Sequence, residues 1–153
     1  MRTSAVLFFL IIIAAPFSGA VAVAKTQHVH VRVAPADEYF GRLKMSILGI
    51  RNQLHDLALR LQYSPASGEA VLGTAVLVED AMHDWEHKYP ADPWLARSVY
   101  DLTTLYSHVR TSRGHARAAH AMRWLLSRYG RTRYGALARA QMQSASRNTL
   151  TRK

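Results

Sequence analysis

Apolar residues recur at alternating spacings of three and four along most of the chain, a pattern typical of amphipathic α-helices. Gly, Pro and Ser residues interrupt this pattern and separate it into successive stripes. The stripes run from Leu43 to Leu61, from Val71 to Tyr89, from Leu95 to Val109, from Ala118 to Tyr129 and, more briefly, over Tyr134, Leu137 and Ala138. The pattern predicts an all-α domain of four main helices plus a short C-terminal helix.

The segments between the stripes are short and contain helix-ending residues. Asp92 followed by Pro93 is typical of an N-cap and a first-turn proline, and Gly114 and Gly130 mark further turns. Short connections place consecutive helices side by side and antiparallel. We therefore expect stacked antiparallel helical hairpins.

The end of the second stripe resembles the end of the fourth when the two are superimposed. Met82 then matches Met122, and Tyr89 matches Tyr129. The aromatic that opens the next helix matches as well, because Trp94 falls on Tyr134. The implied period, about 40 residues, lies in the range of helical-hairpin repeats.

These residues carry a family resemblance. Two segments resemble tetratricopeptide-like proteins of the bacterial envelope. The first runs from Tyr89-Pro90 through Trp94-Leu95 to Tyr106, and the second from Gly114 to Gly130. The resemblance covers about Ala81 to Ala140, and the period exceeds the roughly 34 residues usual for these repeats. It implies a helical-hairpin binding scaffold and names no partner.

The N-terminal segment, residues 1–24, has the organisation of a secretory signal peptide. Arg2 gives a positive start, an apolar run of about 11 residues follows, and small residues precede Lys25. An uncleaved membrane anchor is the competing interpretation, although Pro16 interrupts it. We expect an exported protein, periplasmic or secreted, with cleavage before Lys25 or Val23.

The rest of the chain divides into three predicted parts. Residues 25–35 read as an extended or flexible arm, residues 36–143 as the helical domain and residues 144–153 as a disordered basic tail. His28 and His30 on the arm offer at most a loose site for a transition metal. The chain contains no cysteine, which excludes disulfides and cysteine-based zinc sites.

Charge is distributed unevenly along the chain. The formal net charge is +10, and no acidic residue follows Asp101. Such a positive field suits an anionic partner. In an exported protein this predicts an acidic protein, an anionic envelope polymer or a membrane surface; we expect neither a nucleic acid nor a small-molecule substrate, and no cofactor.

The fourth helix carries the predicted binding site. At 100° per residue, its basic residues and Trp124 fall opposite the apolar stripe. In one interpretation Trp124 stacks on a ligand between arginines; in the other it is covered by the last helix through Tyr134 or Leu137. The candidate site residues are Arg113, Arg117, His120, Trp124, Arg128, Arg131 and Arg133.

One motif raises the alternative of catalysis. His83-Asp84-Trp85-Glu86-His87 matches the H-x-x-E-H pattern of inverted zinc peptidases, in which two histidines one turn apart hold the metal. His83 and His87 are therefore weak metal candidates. Such enzymes need a third protein ligand, usually a downstream carboxylate, and here no acid follows Asp101. Met82, Trp85 and Tyr89 also commit the apolar side of this helix to the core. The sequence therefore favours a non-enzymatic binding or scaffold protein without catalytic residues. A peripheral binder of anionic lipid and a zinc-dependent hydrolase are the alternatives.

Overall fold

A computed structural model describes residues 32–150, and this part of the chain is all-helical. It contains five α-helices and a single 3-10 turn at Pro65–Ser67. The helices are α1 (Ile47–Tyr63), α2 (Gly68–Lys88), α3 (Pro93–His108), α4 (Ser112–Tyr129) and α5 (Arg133–Leu150). Within residues 32–150 there is no β-strand, only an isolated bridge between Phe40 and Met45. The expected signal peptide and His28 and His30 lie outside the described residues.

The helix α3 lies at the centre of the fold. It packs against α1, α2, α4 and α5, whereas α5 packs mainly against α3 and α4. The predicted stripe on α3 is confirmed, because all five of its apolar residues from Leu95 to Val109 are buried. The stripe on α2 is confirmed in the same way from Val71 to Tyr89. Together with the buried Leu72, Ala81, Ala96 and Leu105 on the same helices, these two stripes supply most of the core.

The start of α3 is held by one buried carboxylate. Asp92 accepts the Trp94 amide at 3.0 Å as an N-cap, with Pro93 in the first turn, as the sequence predicts. The other oxygen of Asp92 accepts the Trp85 indole N–H at 3.1 Å and the Ala34 amide at 3.0 Å. This single residue therefore joins α2, α3 and the chain that precedes α1.

The first helix begins later than the apolar stripe predicts. Leu43 is exposed, and α1 begins only at Ile47, with Ser46 as its N-cap. The buried residue of this segment is Phe40, whose ring stacks on Trp85 at 5.9 Å between centroids. Gly41, at φ +67°, turns the chain where any Cβ would lie 2.6 Å from the Cα of Ala81. Only glycine allows the backbone to approach Ala81 so closely. The spacing of apolar residues does not reveal this contact, so the predicted stripe begins before the helix does.

The C-terminal helix is longer than predicted. α5 spans 18 residues and ends at Leu150, so the prediction of a short C-terminal helix is wrong. The prediction of a disordered tail from Ser144 is also wrong for the residues up to Leu150. Beyond Gly135 this segment contains neither glycine nor proline, and alanine, glutamine, methionine and arginine all favour helix. Its polarity reflects exposure, since Leu137 and Met142 also face solvent.

Candidate functional site

The predicted basic face of α4 lies against α2, where glutamates meet its arginines. The three glutamates on α2 and their arginine partners on α4 follow the same order along the chain, so α2 and α4 run in the same direction. The pairs are Glu69 with Arg113 at 3.0 Å, Glu79 with Arg117 at 3.1 Å and Glu86 with Arg128 at 3.3 Å. Three arginines of the predicted site are thus engaged within the protein.

Trp124 is buried, with 8 % of its surface exposed. Its indole N–H donates to Glu86 at 3.0 Å, and its ring stacks on His83 with centroids 4.1 Å apart. Trp124 is therefore covered, as one of the two interpretations holds, but by α2 and not by α5. Periodicity shows which side of a helix is apolar and not which helix will cover it. The interpretation in which Trp124 stacks on a ligand does not fit this packing.

Glu79 is the most enclosed charge in this interface, with 3 % of its surface exposed. It accepts the Tyr106 hydroxyl at 2.7 Å and Arg117 at 3.1 Å, while His120 lies 3.4 Å away. Burial acts to raise the pKa of Glu79, but the His83 imidazole 3.9 Å away, the hydrogen bond from Tyr106 and the Arg117 charge outweigh it and lower the pKa. Burial and this carboxylate raise the pKa of Tyr106 well above its ordinary range.

The two remaining arginines of the predicted site lie beyond the α2–α4 interface: Arg131 in the turn before α5, and Arg133 as the first residue of α5. Arg133 donates to the Tyr134 hydroxyl at 2.7 Å and lies over that ring at 4.6 Å. Arg131 is exposed.

Arg113, Arg117 and His120 line one concave surface of about 410 Å³. Trp124 and Arg128 share Glu86 further along α4. The seven predicted residues therefore fall into groups along α4 and its end and do not converge on one pocket.

The H-x-x-E-H motif has a structural use in this fold. Glu86 accepts three donors: the Trp124 indole at 3.0 Å, the Tyr129 hydroxyl at 2.7 Å and Arg128 at 3.3 Å. His83 is the stacking partner of Trp124, and His87 is exposed. Within residues 32–150 no group of three or more His, Asp or Glu side chains is placed to hold a metal ion.

A groove between α1 and α3 forms a concave surface with a volume of about 970 Å³. Its cationic side chains come from both helices and from the chain after α3, and Asp101 is its one carboxylate. The charged and aromatic residues that line it are Arg51, His55, Arg97, Tyr100, Asp101, His108 and Arg110. We call this surface the α1–α3 groove.

The charges of the α1–α3 groove are only partly compensated. Arg97 lies 3.7 Å from Asp101, a long contact in which both side chains are about half exposed. Arg51 lies over the Trp94 ring at 4.9 Å. Burial raises the pKa of Asp101, against the opposing effect of Arg97 and Arg51. The groove therefore contains three guanidinium groups and one carboxylate. Burial of that carboxylate disfavours its charged form.

Sequence reasoning missed the α1–α3 groove because its residues come from helices whose relative placement is a tertiary property. Arg51 and Arg97 each read as ordinary solvent-facing arginines of amphipathic helices. The available signal was that both of them, and Arg110, occupy positions beside the apolar stripes. That signal does not show that the two helices pack side by side.

None of the described helices is long and apolar enough to cross a membrane. Comparison of the whole chain with protein-family models, with curated protein sequences and with solved structures finds no match.

Proposed function

We propose that this chain is an exported, non-enzymatic binding scaffold whose α1–α3 groove holds an acidic segment of a partner protein. The observation that carries the proposal is the groove itself: about 970 Å³ of concave surface with Arg51, Arg97 and Arg110 against Asp101 alone. The signal-peptide pattern before Lys25 supports export. Arginine suits a carboxylate partner because its guanidinium donates two parallel hydrogen bonds.

The scaffold part of the proposal rests on the internal repeat. α3 begins at Pro93 and α5 at Arg133, one period apart, and Tyr89 and Tyr129 follow or end the preceding helices. The N-caps keep the same spacing, since Asp92 serves α3 and the Thr132 hydroxyl accepts the Gly135 amide at 3.3 Å. Together with the shared direction of α2 and α4, this supports stacked hairpins similar to tetratricopeptide-like scaffolds.

The dimensions of the groove favour a short extended segment. A 16-residue helix such as α3 is about 24 Å long. An extended chain covers about 3.3 Å per residue, so about seven residues fit alongside α3. The apolar floor contributed by Leu54, Leu61 and Leu105 would accept an apolar side chain at alternate positions. The expected ligand alternates acidic and apolar residues.

The test is direct binding of a fluorescein-labelled heptapeptide of alternating Glu and Leu, measured by fluorescence anisotropy. The double substitution Arg51→Glu with Arg110→Glu should weaken binding by at least about tenfold, which corresponds to about 1.4 kcal/mol. The matched control is Arg60→Glu with Arg131→Glu, which changes the net charge equally at exposed positions outside the groove. Circular dichroism verifies that both variants keep their helix content.

Each result has a distinct meaning. Loss of binding in the groove variant alone supports the proposal. Equal loss in both variants shows attraction by net charge only and overturns the groove as the site. Absence of peptide binding together with salt-sensitive binding to vesicles of anionic phospholipid, or to an anionic envelope polymer, overturns the protein-partner proposal in favour of those ligands.

A further inference from the structure

A second concave surface lies between α2 and α4 and has a volume of about 410 Å³. It shares no residue with the α1–α3 groove. None of the described residues that line it is acidic, and three of them are arginines. The lining residues are Leu72 from α2 and Arg113, Ala116, Arg117, His120 and Arg123 from α4. We call this surface the α2–α4 hollow.

The charge of the α2–α4 hollow follows from the sequence of α2. Glu69 pairs with Arg113 and Glu79 pairs with Arg117, but residues 70–78 between the two glutamates contain no charged side chain. Of this stretch only Leu72 lines the hollow, and Leu72 is itself buried. The hollow therefore has an apolar floor on α2 and a cationic wall on α4.

The arginines of the hollow keep hydrogen-bonding capacity for a ligand. Arg117 donates from Nη1 to Glu79 at 3.1 Å, and its side chain remains 43 % exposed. A guanidinium has five N–H donors, so Glu79 fixes the position of Arg117 and leaves donors for a ligand. Arg113 has the exposed Glu69 as its partner, a kind of pair that contributes little. Arg123 is exposed and forms no ion pair within the described residues.

We propose that the α2–α4 hollow binds the diphosphate group of a ligand. Its three arginines and His120 follow one another at intervals of three or four residues, so Arg113 and Arg123 lie about 15 Å apart along the helix axis. A single phosphate is too small to meet a row of this length, whereas two linked phosphates extend along it. The proposal does not depend on the function of the α1–α3 groove.

Phosphate suits the cationic wall of the hollow better than a carboxylate does. A carboxylate has two acceptor oxygens and one charge, whereas a phosphate group has three acceptor oxygens and carries more charge. Each oxygen can accept from a different arginine, and the arginine fork matches phosphate geometry. Like charges three or four residues apart also destabilise a helix, so a bound anion would relieve repulsion between Arg113 and Arg117.

Isothermal titration calorimetry with inorganic diphosphate and with orthophosphate tests the proposal. We expect saturable binding of diphosphate, at least about tenfold tighter than that of orthophosphate. The hollow variant, Arg113→Gln with Arg123→Gln, should weaken diphosphate binding at least about tenfold, because two of the three guanidinium groups are lost. The matched control is Arg60→Gln with Arg131→Gln, which removes the same charge at exposed positions outside the hollow and the groove. Circular dichroism verifies that both variants keep their helix content.

These titrations separate a site in the hollow from attraction by net charge. Loss of diphosphate binding in the hollow variant alone supports the proposal. Equal loss in both variants, equal affinity for the two probes, or no saturable binding overturns it. Binding that survives in the hollow variant but is lost in Arg51→Glu with Arg110→Glu places the anion in the α1–α3 groove and also overturns it.

Sedimentation with vesicles of neutral phospholipid that carry a lipid diphosphate distinguishes the two sources of this group. Co-sedimentation that the hollow variant loses supports a lipid-borne ligand. Calorimetric binding of free diphosphate without co-sedimentation supports a soluble one.

Discussion

Glu86 illustrates how much a single carboxylate supports in this molecule. It accepts hydrogen bonds from Trp124, Tyr129 and Arg128, and it holds both aromatic residues at the end of α4 against α2. Burial and the Glu86 carboxylate raise the pKa of Tyr129 well above its ordinary range, so its hydroxyl stays a donor in alkaline solution. The cost of losing Glu86 is therefore set by the donors that it would leave unpaired.

We expect Glu86→Ala to destabilise the fold by about 2–4 kcal/mol, because two buried donors would each lose a charged acceptor. Glu69→Ala is the matched control, since Glu69 is also an α2 glutamate paired with an α4 arginine. That pair is largely exposed, and its loss should cost less than about 1 kcal/mol. Urea denaturation measures both values, and equal costs would contradict the assigned role of Glu86.

At the scale of elements, two glycines lie within helices but differ in the space around them, so replacing them should have opposite effects on stability. Gly73 lies within α2, is exposed and has no neighbour within 4 Å of the place where a Cβ would stand. Gly114 lies in the first turn of α4, where a Cβ would stand 2.7 Å from the Cβ of Val109. The first glycine therefore only weakens its helix, whereas the second permits the tight connection between α3 and α4.

Gly73→Ala should stabilise the protein by about 0.5–1 kcal/mol, the usual difference between alanine and glycine inside a helix. Gly114→Ala should destabilise it, because the added methyl group forces α4 away from Val109. Thermal unfolding followed by circular dichroism compares the two variants. A stabilising Gly114→Ala would mean that the turn before α4 relaxes without cost.

For the whole molecule, Glu79 is the residue that ties three helices together. It belongs to α2 and binds Tyr106 of α3 and Arg117 of α4 in the interior. The pKa of Glu79 is lowered from the ordinary value of 4.5. A carboxylate whose pKa is lower in the folded state stabilises the fold above its unfolded pKa, and this contribution is lost as pH falls through the folded pKa.

The free energy of unfolding at pH 7 should therefore be about 1.5–3 kcal/mol higher for the wild-type protein than for Glu79→Gln, the usual value of hydrogen bonds to a charged group. The difference should remain near this value down to about pH 5 and then close as the pH falls below 4.5. Urea titrations between pH 7 and pH 3 measure it. A difference that stays constant to pH 3 would show that the charge of Glu79 is not what matters.

The sequence by itself determined the all-helical class, the core stripes of α2 and α3, and the start of α3 at Asp92 and Pro93. These features depend on local periodicity and on capping, which are properties of neighbouring residues. Only the tertiary structure decided that α2 covers Trp124, that the arginines of α4 pair with the glutamates of α2, and that α1 and α3 enclose a groove. Such contacts depend on the relative placement of helices, which a stripe along one helix does not specify.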